Sequence, residues 1–459
     1  MRSDVARLFL HSWAATEGVC RTGEIHDWIK ARNEKLTVEI RRTSLGATDW
    51  FYDGLTGQIV NKSRSFFQVA GFRQTNTDGK SIEQPIIIQD EIGYLGILCQ
   101  KIDGLLHFLM QAKIEPGNVN KVQLSPTIQA TTSNFTQKHG GAKPAYLAYF
   151  MDATGHMTIV DQIQSEQSSR FLKKRNRNII VLLDEGTELE ENPNHKWMTL
   201  GQIKSLMKID NLVNMDTRTV LSCIPLYGHS AWISANDEAL AHSLNHSQPG
   251  ALSMVYGYLN NYKMFASAKC ETVPLFALKD WKMSHDNGVD TFHHKSVWPF
   301  RIIFCDISIE GREVRHWSQP LFEALGIARF GLFTSVSEGV RLFLVKAKPE
   351  IGCFDKIELG PTIQLEATEA PEPGDCVAEL FFERLSAGRG AMHNVMLSEE
   401  GGRFYHEQNR NAIIEIEQSE LPDLPSGYFW LTYHTLNQMI QYNNCVNIQL
   451  RNLLSLLEL

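Results

Sequence analysis

Two short polar stretches carry the side chains best suited to chemistry. The first runs Ser165-Glu166-Gln167-Ser168-Ser169-Arg170-Phe171 and continues to Asn176-Arg177-Asn178-Ile179-Ile180. The second runs Ser398-Glu399-Glu400-Gly401-Gly402-Arg403-Phe404 and continues to Asn409-Arg410-Asn411-Ala412-Ile413-Ile414. Ser165 and Ser398 stand 233 positions apart, and so do the two Arg-Phe pairs and the two Asn-Arg-Asn triplets. A repeated carboxylate can move a proton. A repeated Arg can grip two oxygens of a phosphate with its planar fork. The first copy adds a basic run, Arg170, Lys173, Lys174, Arg175 and Arg177, in a chain of net charge −8. That overall charge argues against nonspecific nucleic-acid binding, so an anionic ligand must be held by a local cluster. For Lys173 and Lys174 a solvated strand end explains the charges equally well.

A second polar set precedes the first stretch. Lys113 and Glu115 end one apolar segment; then Gln123, Ser125, Thr127, Gln129, Thr131 and Ser133 alternate with Leu124, Ile128 and Ala130. Period two puts the polar residues on one face of a strand. That face either lines a pocket or is the wet side of an edge strand. Asn134 to Gly141, with Lys138 and His139, reads as a loop able to cover a ligand. Lys348, Glu350 and Pro361-Thr362-Ile363-Gln364 repeat Lys113, Glu115 and Pro126-Thr127-Ile128-Gln129, and Trp281 answers Trp50. Every such pairing says that the chain is a tandem duplication.

The elements that must position these residues are mixed. Val5, Leu8, Phe9 and Trp13, then Ile25, Trp28 and Ile29, recur at helical spacing. Closely spaced strand-like segments follow from Leu36 to Leu183, which predicts a curved, mainly antiparallel sheet. Thr199 is placed to cap a helix whose stripe is Leu200, Ile203, Leu206 and Met207. The second half repeats the order. The expected organisation is α+β: an N-terminal helical segment over 1–31, one repeat over 32–225, a connection over 226–250 and a second repeat over 251–459. A period above 200 residues means two whole domains, not a solenoid.

A composition of 43% hydrophobic and 21% charged residues is that of a globular protein. The eight cysteines form no Cys-x-x-Cys pair and no Cys/His set with zinc spacing, which predicts reduced thiols and a cytoplasmic protein. Met1 to Trp13 has no long apolar run, so no signal peptide is expected, and no apolar run is long enough for a bilayer-spanning helix. Walker A, Gly-x-Gly-x-x-Gly and Gly-x-Ser-x-Gly signatures are missing. No metal and no redox cofactor is called for.

Leu109–Gly117, Gln123–Asn134, His139-Gly140-Gly141, the Ser-Glu…Arg-Phe…Asn-Arg-Asn stretch and the closing Trp-x-Thr…Val-Asn-x-x-x-Arg-x-x-Leu-Ser pattern resemble the NDP-hexose 2,3-dehydratases of deoxysugar biosynthesis. The resemblance covers nearly the whole chain. It implies a tandem duplication of a Nudix-like domain in a homodimer, with a nucleotide-sugar pocket in each domain. It implies removal of water across C2–C3 of an NDP-4-keto-6-deoxyhexose, usually the dTDP sugar. An NADPH-dependent 3-ketoreductase would then trap the product. The first pocket is expected to use Glu166, His139 and Lys113 in chemistry. Trp50, Gln129, Thr131, Ser133, Asn134, Arg170, Arg175, Arg177 and Asn178 would bind substrate there. The second would comprise Trp281, Lys348, Gln364, Glu399, Arg403, Tyr405, His406, Arg410 and Asn411. Both pockets are expected to take a dTDP ligand, with turnover in the first. Glu166 is either a base or the partner of a neighbouring Arg. A nucleotide-sugar isomerase and a non-catalytic binding subunit stay open as other readings. The chain departs from the family pattern at Ser168-Ser169, where Gly is usual, and at Leu365-Glu366-Ala367, which replaces a Thr-rich run.

Overall fold

A computed structural model of the chain describes residues 1–76, 79–131, 143–151, 155–229, 236–312 and 314–459. The expected site residues Ser133, Asn134 and His139 lie outside the described residues. The fold is a mixed α+β arrangement in which two sheets of one pattern and two of another are built from the two halves.

In the first half one sheet has the order Met157–Ser165, Arg175–Leu183, Gly93–Ile102, Leu105–Ile114, His195–Met198. In the second half Ala391–Ser398, Gln408–Glu415, Ala328–Ser337, Val340–Pro349 and Tyr428–Thr432 follow the same order. In each, the Asn-Arg-Asn strand runs parallel to its inner neighbour, and the other pairings are antiparallel. The other two sheets exchange a strand. Val38–Arg42 pairs with Phe300–Ile309 of the second half, and Lys269–Val273 pairs with Gln68–Thr75 of the first. The halves are therefore hydrogen-bonded into one another.

The stretch expected as one strand from Lys121 to Thr131 is two. Val122–Ser125 pairs with Leu105–Ile114, and Ile128–Ala130 crosses to Gly93–Ile102. Pro126 has no N–H to give to a ladder, so pairing breaks there. Thr127 bridges the break: its Oγ1 accepts from Leu98 N at 2.9 Å and donates to Leu109 O at 2.5 Å. Thr362 repeats this between Phe333 N and Leu344 O. The polar face of this stretch is buried, with Gln123, Ser125 and Thr127 at most 1% exposed.

Two helices outside the expected repeats, one before each, pack alike. Ser3–Ala14 buries Val5, Phe9, Leu10 and Trp13 and packs on Leu105–Ile114 and the helix Leu200–Leu206. Ser12 Oγ donates to Leu106 O at 2.6 Å and accepts from Leu200 N at 2.9 Å. Within the expected connection lies a helix, Glu238–Asn245, which packs in the same way on Val340–Pro349 and Tyr433–Ile440. There Ser243 Oγ donates to Arg341 O at 2.5 Å and accepts from Tyr433 N at 2.7 Å. A serine on a buried helix face hid this likeness from hydropathy alone. Thr199 caps its helix as expected, accepting from Gln202 N.

Met215–Ser222 and Ile448–Ser455, capped by Asn214 and Asn447, pack on one another between the halves. Each carries a buried Arg that reaches across. Arg218 Nη2 donates to Ser398 O at 2.8 Å, and Arg451 Nη2 donates to Ser165 O. Each half thus anchors the polar stretch of the other.

Candidate functional site

The polar stretches cross over where glycine permits it. Gly117 N donates to Gly401 O at 2.7 Å, and Gly352 N donates to Ser168 O at 2.8 Å. A Cβ at Gly117 would lie 1.6 Å from Phe404 O, and one at Gly352 would lie 1.9 Å from Phe171 O. No other residue fits at that separation. Each Ser-Glu…Arg-Phe stretch therefore delivers its Arg to the cavity of the other half. Arg403, expected in the second pocket, lines the first; Arg170, expected in the first, lines the second.

The first cavity has a volume of about 440 Å³. Lys113, Gln129 and Thr131 line it, as expected from the sequence, together with Glu115, Lys174, Asn176, Asp216, Arg312 and Glu400. Phe66, Phe67, Tyr94 and Trp317 supply aromatic faces, suited to a base or sugar ring. Gln129 Nε2 donates to Glu115 Oε1 at 3.3 Å, and Asn214 Nδ2 donates to Gln129 Oε1 at 3.4 Å. Lys113 Nζ lies 3.5 Å from Glu115 Oε1, and Arg312 lies 4.0 Å from the same oxygen. Burial would raise the Glu115 carboxyl, but Lys113, Arg312 and Arg403 outweigh it and hold it below the usual range. Asp216 is pushed well above the usual range by burial and then by Glu166, Glu400 and Glu115. Its place in the first turn of Met215–Ser222 favours the anion, yet burial among three carboxyls prevails. Its Oδ2 has no hydrogen-bond partner among the described residues. One cavity thus holds a carboxyl that its cations bias toward the anion and a carboxyl that burial and like charge bias toward the acid, the pattern that separates base from acid.

The second cavity has a volume of about 1070 Å³ and is lined by Lys348, Glu350, Gln364, Glu366 and Arg170. Gln364 Nε2 donates to Glu350 Oε1 at 2.9 Å, matching Gln129 and Glu115. Gln449 stands where the first half has Asp216, so that carboxyl has no counterpart.

Other expected site residues lie outside both cavity walls. Trp50 and Trp281 are core residues whose indole nitrogens donate to Ser318 O and Glu83 O. Arg175 stacks on Phe354, 3.8 Å from the ring centroid. Arg177 is held by both oxygens of Asp161 at 2.6 Å, and Arg410 donates to Asn394 at 3.2 Å. Asn178 and Asn411 are buried and donate to the carbonyls of Asn176 and Asn409. Tyr405 and His406 stack on each other, ring centroids 4.1 Å apart.

Glu166 and Glu399 are buried behind the cavities, each accepting from an asparagine: Asn176 at 2.8 Å and Asn409 at 2.6 Å. Burial and then Glu400 raise Glu166 to about 7; burial and then Glu407 raise Glu399 to about 8. Burial likewise raises Glu350 to about 7. All three are raised above an unfolded value near about 4.3. The folded chain then holds protons that the unfolded chain has released. This contribution to stability is complete below about pH 4 and is lost as pH rises through 7 to 8. The Tm is expected to fall from pH 6 to pH 8.5, and Glu399→Gln is expected to flatten that fall. Calorimetric melting across this range checks it; an unchanged slope in Glu399→Gln would refute it.

Lys174, Arg312, Glu400 and Asp216 were not singled out as site residues by sequence reasoning. A signal existed for three of them. Lys174, Asp216 and Glu400 correspond to Glu407, Gln449 and Gln167 in the other copy, so the repeat breaks where charge matters.

The model of the NDP-hexose 2,3-dehydratase family matches residues 22–224 and 252–457. The chain is 37% identical to a dTDP-4-dehydro-6-deoxy-alpha-D-glucopyranose 2,3-dehydratase of Saccharopolyspora spinosa, over 99% of this chain and 95% of the relative. It is 34% identical to a protein of the same description from Amycolatopsis orientalis, over 98% and 93%. A third, from Streptomyces violaceoruber, is 34% identical over 95% and 96%. With two like halves, and a cavity in each built from the shared Lys-x-Glu, Gln and crossed Arg, the chain belongs to the NDP-hexose 2,3-dehydratase family.

Proposed function

We propose that the chain eliminates water across C2–C3 of dTDP-4-keto-6-deoxyglucose, and that the first cavity performs the reaction. The observation that carries this assignment is the presence of two carboxyls, Glu115 beside Lys113 and the buried Asp216, in the lining of one cavity, where the second copy has Gln449 in place of Asp216. The 4-keto group acidifies the C3 proton. Glu115 takes that proton, and the electron pair moves toward O4 as an enolate. Lys113, beside Glu115, stabilises the charge on O4. The enolate expels the C2 hydroxyl, which leaves as water with a proton from Asp216. The resulting enol tautomerises to the 3,4-diketo-2,6-dideoxy sugar. Arg403 and Arg312 hold the diphosphate, since Arg forks match phosphate oxygens.

Glu166, with no place on the cavity wall, holds Asn176 in this reading rather than acting as the base. Each half is read as a Nudix-like domain whose metal box has been lost. The working protein is read as a homodimer. Because the diketone is labile, a 3-ketoreductase supplying hydride is its expected pathway partner.

Incubation with dTDP-4-keto-6-deoxyglucose in deuterated water, followed by mass analysis, tests the reaction. Loss of the mass of one water from the sugar is expected. Deuterium uptake without that loss would mean an isomerase, and an unchanged substrate would mean a binding protein. Lys113, Lys174, Arg312 and Arg403 can meet the diphosphate charge without a metal. Turnover is accordingly expected to survive dialysis against a chelator, and loss restored by added metal would refute that expectation.

A further inference from the structure

The second cavity contains an internal carboxylate where the first presents a hydroxyl. Thr131 and Glu366 occupy equivalent positions, two residues beyond Gln129 and Gln364. Glu366 grips Arg170 with both oxygens, at 2.8 Å to Nη2 and 3.4 Å to Nη1. Glu407, standing where the first copy has Lys174, lies 3.8 Å from Arg170 Nη2. The guanidinium sits 4.3 Å from the Phe300 ring centroid, and its side chain is 3% exposed. Arg403 takes the same seat in the first cavity, 4.3 Å from the Phe67 centroid. There its Nε and Nη2 face a neutral amide oxygen of Gln89, at 3.3 and 3.2 Å. Two differences between the copies thus set a bidentate carboxylate, with a second carboxylate nearby, against Arg170, where Arg403 hydrogen-bonds an amide oxygen.

We infer that the second cavity is a nucleoside-diphosphate site closed from within, with Glu366 holding Arg170 as a ligand phosphate would. The inference rests on the reading that Arg403 binds the diphosphate in the first cavity. A bidentate carboxylate and a phosphate make the same fork-to-fork contact with Arg, so the two compete. An entering diphosphate would leave the half-buried Glu366 unpaired beside buried Glu350 and Glu407, which disfavours entry. The native chain therefore takes one nucleoside diphosphate, although it has two cavities.

Calorimetric titration of the full chain with dTDP reads the stoichiometry. One site per chain is expected for the wild type, two for Glu366→Thr, and one again for Glu366→Thr with Arg170→Met. Glu366→Gln, which keeps the shape and removes the charge, is expected to gain the same second site. Thermal melting establishes that each variant is folded. Two sites on the wild-type chain would overturn the inference. So would a single site on a folded Glu366→Gln chain. The first-cavity reading fails separately: Arg403→Met binding dTDP as tightly as wild type would refute it, whatever the Glu366 variants do.

Discussion

Glu115→Gln is expected to lower kcat by roughly 10²- to 10⁴-fold while dTDP still binds. The change keeps the amide-sized shape next to Gln129 and Lys113 and removes the group able to accept a proton. The low pKa of Glu115 in the free protein makes it ionised but a weak base. Binding changes that. Two of the three cations that hold it down, Arg312 and Arg403, are those placed to meet the diphosphate. Once phosphate neutralises them, burial dominates and the carboxylate becomes more basic. The acid limb of kcat is therefore expected at higher pH than that of kcat/KM, because kcat reports the bound form. Asp216→Asn is the companion test, since an amide cannot release a proton to the leaving hydroxyl. It too is expected to cut kcat while leaving dTDP binding near wild type. Glu166→Gln, by contrast, is expected to retain turnover within a few-fold. If Glu166→Gln is inactive and Glu115→Gln is not, the base is the buried residue and the mechanism above is wrong.

The sequence made the repeat, the α+β class and the polar character of the site legible, because dense matches at a fixed offset survive without any structural knowledge. Gln129 and Thr131 could be found because polar residues alternate in that stretch of sequence, and Lys113 because it recurs as Lys348. The Pro-Thr pair was legible as a repeat but not as a splice between strands, a role seen only when Thr127 Oγ1 is found bonded to both neighbours. Asp216 was hidden for a different reason. It sits on a short helix beside buried Arg218, where spacing says nothing about which groups converge. Crossing of the two polar stretches was illegible altogether. A repeat match says that Arg170 and Arg403 are equivalent, not which half each one serves. That choice is made by contacts hundreds of residues apart, at Gly117 with Gly401 and at Gly352 with Ser168. Local pattern carries no record of such contacts. What the sequence did offer was the set of places where the copies disagree: Thr131 with Glu366, Lys174 with Glu407, Asp216 with Gln449. Those mismatches are what the proposed assignment of the reaction to the first cavity rests on.

Arg403→Met is expected to raise KM about 10²-fold and change kcat far less, even though Arg403 belongs to the half whose own cavity is proposed not to react. The scale is that of removing one charge-assisted partner of a bound group, about 2–5 kcal/mol. Met keeps the apolar contact with Phe67, so the loss isolates the guanidinium. A second consequence follows from charge. Without Arg403, Glu115 loses one of the cations that hold it down, so the acid limb of kcat/KM moves to higher pH. A purely structural role for Arg403 would lower the Tm without moving that limb. Arg170→Met provides the contrast. It leaves buried Glu407 and half-buried Glu366 without their cation, so it lowers stability, yet it leaves KM for the substrate in place. Steady-state kinetics over pH, with melting curves of both variants, decide the matter. If Arg170→Met raises KM and Arg403→Met does not, each arginine serves its own half, and the crossed assembly of the reacting cavity is refuted.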